Sequence, residues 1–270
     1  MSGPGHAIVS GGSSGIGLAV AGRLAEQGWN LSLIARDPAK LEAARKQLAG
    51  RTAETGQAVH IYSADLAEAT AAGAAAAQAI AALGPPALLV TSAGITRPGN
   101  FEDLPIEIFH RLMAVNYFGT LYLIKAVLPA MREARRGHLV MVSSGAGLIG
   151  IHGYCAYAPT KFALRGLAES LRGELAPEGI QVSIVYPPDT DTPQLAAEAA
   201  LKPPQTKRIT ASARVLSAET VAEAVMRGIR RRRFAITPGL EMSLLSPLHS
   251  LIAPLLRRRF DALARRARAG

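Results

Sequence analysis

Short apolar runs alternate with helix-like stretches from the first residues onward, and this alternation limits the fold more than any other feature. Ala7 to Ser10, Leu31 to Ala35, Val59 to Ser63, Leu88 to Thr91, Leu139 to Ser143 and Gln181 to Tyr186 read as strands. Between them lie helical patterns over about 16–27, 38–48, 67–83, 105–114 running into a long helix to 132, and 157–175. Apolar strands separated by crossovers of helix length dictate a parallel sheet covered on both faces. After Tyr186 the prolines at 187, 188, 193, 203 and 204 predict a long irregular connection. Residues 218–229 read as a helix and Phe234 to Thr237 as a last edge strand. With 270 residues, 49% of them hydrophobic, the chain supports one substantial core and is too apolar to be disordered. Its one cysteine, Cys155, excludes a disulfide framework and a multi-cysteine zinc site. Met1 to His6 has neither a basic region nor a long apolar run, so a cytosolic chain is expected.

The first strand runs into Ser10-Gly11-Gly12-Ser13-Ser14-Gly15-Ile16-Gly17 and then a helix. Glycines at 11, 15 and 17 allow a tight turn and a close backbone approach to a pyrophosphate, while the helix N-terminus offers unpaired N–H groups to that anion. Gly11, Ser13, Ser14, Gly15, Ile16 and Gly17 are the expected contacts. The fold class is therefore α/β, a Rossmann-like doubly wound parallel sheet. No Gly-Lys-Ser/Thr ending follows, which argues against a P-loop nucleotidase. The second strand ends at Arg36-Asp37-Pro38. An acid there binds the ribose of NAD, whereas an arginine holds the 2′-phosphate of NADP. Asp37 before Pro38 suits a helix cap, leaving Arg36, with Lys40 as helper, for the phosphate. NADP (as NADPH) is the expected cofactor. Asp65-Leu66 borders the adenine in this reading, although Asp65 is equally suited to be a cap.

Tyr157-Ala-Pro-Thr-Lys161 is the chain's only Tyr-x-x-x-Lys. Spacing of four puts both side chains on one helix face. A phenol titrates near 10, and a neighbouring ammonium favours its ionised form; bringing it near 7 needs about 4 kcal/mol. Ser144, where the fifth strand ends, is placed to hydrogen-bond an oxygen that develops negative charge. Asn116 falls in the long preceding helix and is a candidate to hold a proton-relaying water near Lys161.

Taken together, these residues resemble the classical short-chain dehydrogenase/reductase family over about residues 5–238. The resemblance implies hydride transfer at a carbonyl or alcohol carbon, with Tyr157 as acid/base, Lys161 lowering its pKa, Ser144 polarising the oxygen and Asn116 supporting the relay. It also places Ala93, Gly94, Pro187, Thr190 and Thr192 beside the cofactor, with Thr192 at the nicotinamide carboxamide and residues 194–216 as a substrate lid. It implies a dimer or tetramer through the helices ending near Arg132 and Leu175. The chain departs from the family at Ser10, usually Thr, and at Thr91-Ser92-Ala93-Gly94, usually Asn-Asn-Ala-Gly. Pro188 replaces a common Gly, and Pro159 lies inside the Tyr/Lys segment, which requires that its helix has just begun.

A narrower likeness rests on Phe162-Ala-Leu-Arg-Gly-Leu-Ala168, Tyr186-Pro-Pro-Asp-Thr-Asp-Thr-Pro193 and Lys202-Pro203. These are similar to the branch of the family that works on sphingoid bases. The likeness implies NADPH-dependent reduction of the 3-keto group of a long-chain 2-amino ketone. Another ketone (a 3-oxoacyl thioester, a steroid or a small ketone) and a non-catalytic NADP-binding role are the alternatives. The charge distribution bears on location. Residues 227–270 hold 11 arginines against Glu241 and Asp261, which is nearly all of the net +10. Leu240 to Leu256 is largely apolar, arginine-flanked and short for a span, and Phe260 to Ala269 reads as a basic amphipathic helix. Residues 1–238 are thus expected as the cofactor-binding domain. Residues 239–270 are expected as a segment that attaches peripherally to an anionic membrane surface on its cytoplasmic face. The alternative is packing on the body or on another subunit. Nucleic acid is not expected, because the tail lacks interleaved aromatics.

Overall fold

A computed structural model describes residues 5–53, 56–211 and 213–268; Met1–Pro4 and the expected helix end at Ala269 lie outside the described residues. The strands are β1 (His6–Ser10), β2 (Asn30–Ala35), β3 (Val59–Ser63), β4 (Leu88–Thr91), β5 (Gly137–Val142), β6 (Ile180–Val185), β7 (Thr190–Asp191), β8 (Leu216–Ser217) and β9 (Ala235–Ile236). Seven of them form one sheet in the order β3-β2-β1-β4-β5-β6-β9, with every pair parallel. This is the doubly wound arrangement that the alternating pattern predicts.

The period of two along each strand sorts side chains into two layers. Ala7, Val9, Leu31 and Leu33 pack under α1 (Gly15–Ala25), α2 (Pro38–Ala49) and α9 (Ala218–Arg230). Ile8, Ile34, Leu89, Leu139 and Met141 pack under α3 (Ala69–Leu83), α5 (Gly119–Glu133) and α6 (Ala158–Leu175). The long helix expected over 105–132 is α4 (Ile106–Met113) and α5 joined by one π-helical turn, Ala114–Phe118. The whole run Ile106–Glu133 is apolar and long enough to cross a membrane. Its buried Leu112, Leu123, Ile124, Val127 and Met131 are explained by the core.

The segment expected as irregular contains two short helices, α7 (Pro193–Ala199) and α8 (Pro204–Thr210). Their prolines stand in the first helical turn, where a missing N–H costs nothing, so they start helices and do not break them. Thr192 caps α7 by accepting from the Leu195 N–H at 3.3 Å. A parallel pairing of β7 with β8 closes the base of this excursion. Beyond β9, the apolar stretch and the basic helix expected as successive pieces are one helix, α10 (Leu240–Arg268), which runs through Pro247 and Pro254. It returns across the body: Arg165 Nη1 donates to His249 Nε2 at 2.9 Å and Arg208 Nη1 to the Arg266 carbonyl at 2.9 Å.

One buried histidine makes the sheet acid-sensitive. His138 in β5 is 2.7 Å from Ser183 Oγ in β6, and Ser183 in turn donates to the Arg233 carbonyl. Burial, helped by the Arg232 charge, pushes His138 down to about 4 from 6.5. Its folded pKa lies below its unfolded one, so the stability it contributes is present above 6.5 and is lost as pH falls toward 4. Denaturant unfolding should show a loss of about 3 kcal/mol across that window, and His138→Gln should flatten it.

Candidate active site

Parallel strands all release their loops at one edge, and the strand order reverses between β1 and β4. A crevice opens at such a switch point. The glycine-rich loop occupies it. Gly11 has φ +66, and a Cβ there would sit 2.7 Å from the Ala93 N–H nitrogen; a Cβ at Gly17 would collide with the Gly11 carbonyl. The loop therefore lies flat against the β4 end and against its own helix. Ser14, the residue before α1, makes no side-chain cap bond, and no acid stands in the first turn. The amide groups there remain available to an anion, so the loop fits a dinucleotide pyrophosphate. Gly11, Ser14, Gly15 and Ile16 line a cavity of about 710 Å³ that also receives Ala93, Gly94, Pro187, Thr190 and Thr192. Ser13 and Gly17 stand in the loop outside its lining.

Hydrogen bonds settle the departures near β4. Ser10 Oγ accepts from the Ala93 N–H at 3.3 Å, so serine serves at this position, while the buried Thr91 hydroxyl has no partner. The Pro187 carbonyl accepts from the Gly145 N–H at 3.0 Å, joining the β6 end to the Ser144 loop. Thr192 donates to the Thr190 carbonyl at 3.2 Å and faces Gly15 across the cleft.

The residues expected on the adenosine side lie outside that cavity. Asp37 caps α2 by accepting from the Lys40 N–H at 3.0 Å, and the Lys40 ammonium lies 3.9 Å from the same carboxylate. Arg36 is exposed just past β2, and its charge reaches Asp65. Asp65 accepts from the Ala67 N–H at 3.1 Å and from Arg111 Nη2 at 2.7 Å. Burial alone would raise its carboxyl; these bonds and the Arg111 and Arg36 charges outweigh it and hold the carboxyl low. Leu66 is buried against Gly119.

Tyr157 opens α6, with Pro159 in its first turn, where a proline is tolerated. Lys161 follows one turn later. It is 4% exposed, donates to the Val142 carbonyl at 3.1 Å and holds its ammonium 5.5 Å from the Tyr157 ring centre. Ser144, at the end of β5, is a hydrogen-bonding neighbour of the Tyr157 hydroxyl and also accepts from the Ala146 N–H at 3.1 Å. Asn116 sits in the π-helical turn with its amide fully engaged. Its Oδ1 accepts from the Ile95 N–H at 2.8 Å, and its Nδ2 donates to the Ile95 carbonyl and to Thr160 Oγ1, each at 3.0 Å. Asn116 therefore braces the chain after β4 against α6, beside the Lys161 ammonium across Gly94.

Electrostatics differ from the sequence-based expectation. The Tyr157 phenol is pushed above its ordinary value, first by burial and then by the nearby Glu198 and Asp189 charges, with only Ser144 pulling the other way. Lys161 is pushed down to about 8 by burial. Desolvation disfavours both charged forms, and the amine turns toward the Val142 carbonyl. The resulting pair is a neutral phenol ready to donate a proton and an ammonium beside it, next to a cleft fit for a dinucleotide. Glu198, Asp189 and Tyr154, and Met242, Leu245, Ile252 and Leu256 of α10, complete the cavity wall. From the sequence, Glu198 falls only within the expected lid 194–216, and neither Asp189 nor the α10 residues are singled out for the site. The Glu198/Lys202 pair at helical spacing was the available signal, hidden because its segment read as irregular. NMR of lysine Nζ groups should find one amine titrating near pH 8, and Lys161→Met should delete that signal; titration only near 10.5 would refute the burial argument.

The model of the short chain dehydrogenase family matches residues 5–202. Over 251 residues the chain is 40% identical to a 3-ketodihydrosphingosine reductase of Bos taurus and to a 3-dehydrosphinganine reductase of Danio rerio, covering 93% of this chain and 76% of each relative. Among solved structures it resembles a short chain dehydrogenase/reductase of Burkholderia phymatum in complex with NAD, at TM-score 0.82, 25% identity and coverage of 94% and 95% of the two chains. An alcohol dehydrogenase of the archaeon Thermococcus sibiricus, complexed with 5-hydroxy-NADP, aligns at TM-score 0.74 and 25% identity, over 86% and 95%. The sheet order, the family match and the likeness to reductases over nearly the whole length agree: the chain belongs to the short-chain dehydrogenase family and is a nicotinamide-dependent oxidoreductase.

Proposed function

We propose that the protein reduces the 3-keto group of 3-ketosphinganine, a long-chain 2-amino ketone, to the alcohol sphinganine, using NADPH, as a step of sphingolipid synthesis. The observation that carries this reading is the shape of the cavity. Its polar end holds Ser144, Tyr157 and Lys161, and Leu245, Ile252, Leu256 and Phe260 of α10 wall it with apolar surface suited to an alkyl chain. The names of the Bos taurus and Danio rerio relatives support the same substrate.

Gly11, Ser14, Gly15 and Ile16 would hold the cofactor's pyrophosphate, and Ala93, Gly94, Pro187, Thr190 and Thr192 would border its nicotinamide, which would supply hydride to the carbonyl carbon. The carbonyl oxygen is oriented by the Ser144 and Tyr157 hydroxyls, which stabilise the charge it gains. Tyr157 gives its Oη proton to that oxygen. The Lys161 ammonium, anchored on Val142, stabilises the phenolate left behind, and Asn116 keeps that geometry. Arg36, exposed at the end of β2 with its charge reaching Asp65, supports NADPH over NADH.

We assign residues 239–270 to peripheral membrane attachment. Leu240, Leu248, Leu251 and Leu255 are 40% to 81% exposed on one side of α10, while Leu244, at the cavity rim, and Leu245, Ile252 and Leu256 line the cavity. The arginines at 257–259 flank this stripe, each worth about 1 kcal/mol near an anionic surface. A lipid ketone would thus enter beneath the helix that touches the bilayer. Phe118 and Phe162, exposed at the starts of α5 and α6, are apolar surface for pairing with a second copy.

In detergent micelles the protein should oxidise NADPH in the presence of 3-ketosphinganine. Tyr157→Phe should lower kcat at least 100-fold while NADPH still binds, and Arg36→Ala should narrow the preference for NADPH over NADH. Turnover of soluble ketones alone would overturn the substrate assignment. The protein should also float with vesicles containing phosphatidylserine. Replacing Leu248, Leu251 and Leu255 by serine should reduce flotation about tenfold, and undiminished flotation would refute the leucine-stripe assignment.

A further inference from the structure

The cavity has an acidic corner that neither hydride delivery nor proton transfer uses. Glu198 of α7 lines it and is only 7% exposed. A carboxylate so buried is costly unless it is paired. Tyr154 donates to it at 3.1 Å and the Lys202 ammonium lies 3.4 Å away, and both contacts use the same oxygen, Oε1. Neither uses Oε2. Asp189, also in the cavity wall, shares that one ammonium at 3.9 Å. Two carboxyl groups thus share one lysine; burial pushes the Glu198 carboxyl up, and the Lys202 ammonium and the Tyr154 hydroxyl oppose that rise. Lys202 itself is not part of the cavity lining, so the lysine supports the pair from behind and the carboxylates face the substrate.

This corner lies next to the reacting oxygen. The Tyr154 and Tyr157 rings are 5.8 Å apart, centre to centre, and both carboxylates act electrostatically on the Tyr157 phenol. We propose that Glu198 and Asp189 bind the 2-ammonium group of the substrate and thereby set the enzyme's preference for amino ketones. This rests on the reading of the substrate as a long-chain 2-amino ketone. The amine is one carbon from the carbonyl, so a site for it must adjoin Tyr157, as this one does. An amine beside a carbonyl is also a weak base, like a peptide α-amino group near 7.7–8.0. Two carboxyl groups beside it favour its protonated form. Held there, the ammonium fixes which face of the carbonyl meets the cofactor and draws electron density from the carbon that accepts hydride.

The test compares 3-ketosphinganine with the same ketone lacking the amino group, in micelles, for the wild type, Glu198→Gln and Asp189→Asn. NADPH fluorescence titration reports that each variant keeps its cofactor cleft. Asp189 is partly exposed, so its variant remains informative if the buried Glu198→Gln protein fails to fold. The wild type should favour the amine-bearing ketone in kcat/KM, and the variants should lower that preference 10- to 100-fold, the range of a charged hydrogen bond. The loss should appear mainly in KM. A wild type indifferent to the amine, or variants that keep the full preference, would overturn the inference and leave the substrate assignment standing. A wild type that fails to reduce 3-ketosphinganine at all removes that assignment, and this inference with it.

Discussion

Parallel pairing requires every strand of this sheet to end at the same edge, and the site depends on that requirement. The glycine loop leaves β1 there, the Ala93-Gly94 turn leaves β4, Ser144 leaves β5 and the Pro187 turn leaves β6. Because the order reverses between β1 and β4, the loops diverge and a crevice remains. Close contacts then set its width. A side chain on Gly11 would overlap the backbone at Ala93, so the two walls meet at a distance that only glycine permits.

Burial is the second control, and it acts on charge. Tyr157 and Lys161 are each driven toward the neutral form by desolvation. For a reductase this has a use. The phenol stays protonated until an oxygen beside it gains charge, and the amine, lowered to about 8, is still mostly an ammonium at neutral pH. Asn116 serves the same end by structural means. It ties the Ile95 backbone to Thr160 on α6, and the wider π-helical turn at 114–118 is what carries it.

The C-terminal helix joins chemistry to surroundings. Its inner face lines the cavity and its outer face shows leucines to solvent. A helix that is apolar on both sides must find cover for the exposed side. In the proposed attachment a bilayer supplies that cover and also holds the long-chain ketone.

Much of this was legible in the sequence, for a local reason. Strand and helix periods, the turn glycines, the Asp37-Pro38 start and the Tyr157/Lys161 spacing are properties of neighbouring residues, and they specify the sheet, the loop and the catalytic helix. Residues 193–210 were not legible, because a proline breaks a helix or begins one according to where the chain turns. The path of α10 was equally hidden: Pro247 and Pro254 argue for interruption, and only packing on α6 and α8 makes one continuous helix worthwhile. The tertiary structure alone decided which carboxylates face the tyrosine. Glu198 and Asp189 are nine residues apart and meet only through Lys202. It also decided the sense of the phenol's shift, since desolvation depends on what the whole fold places around a group and not on the residues beside it.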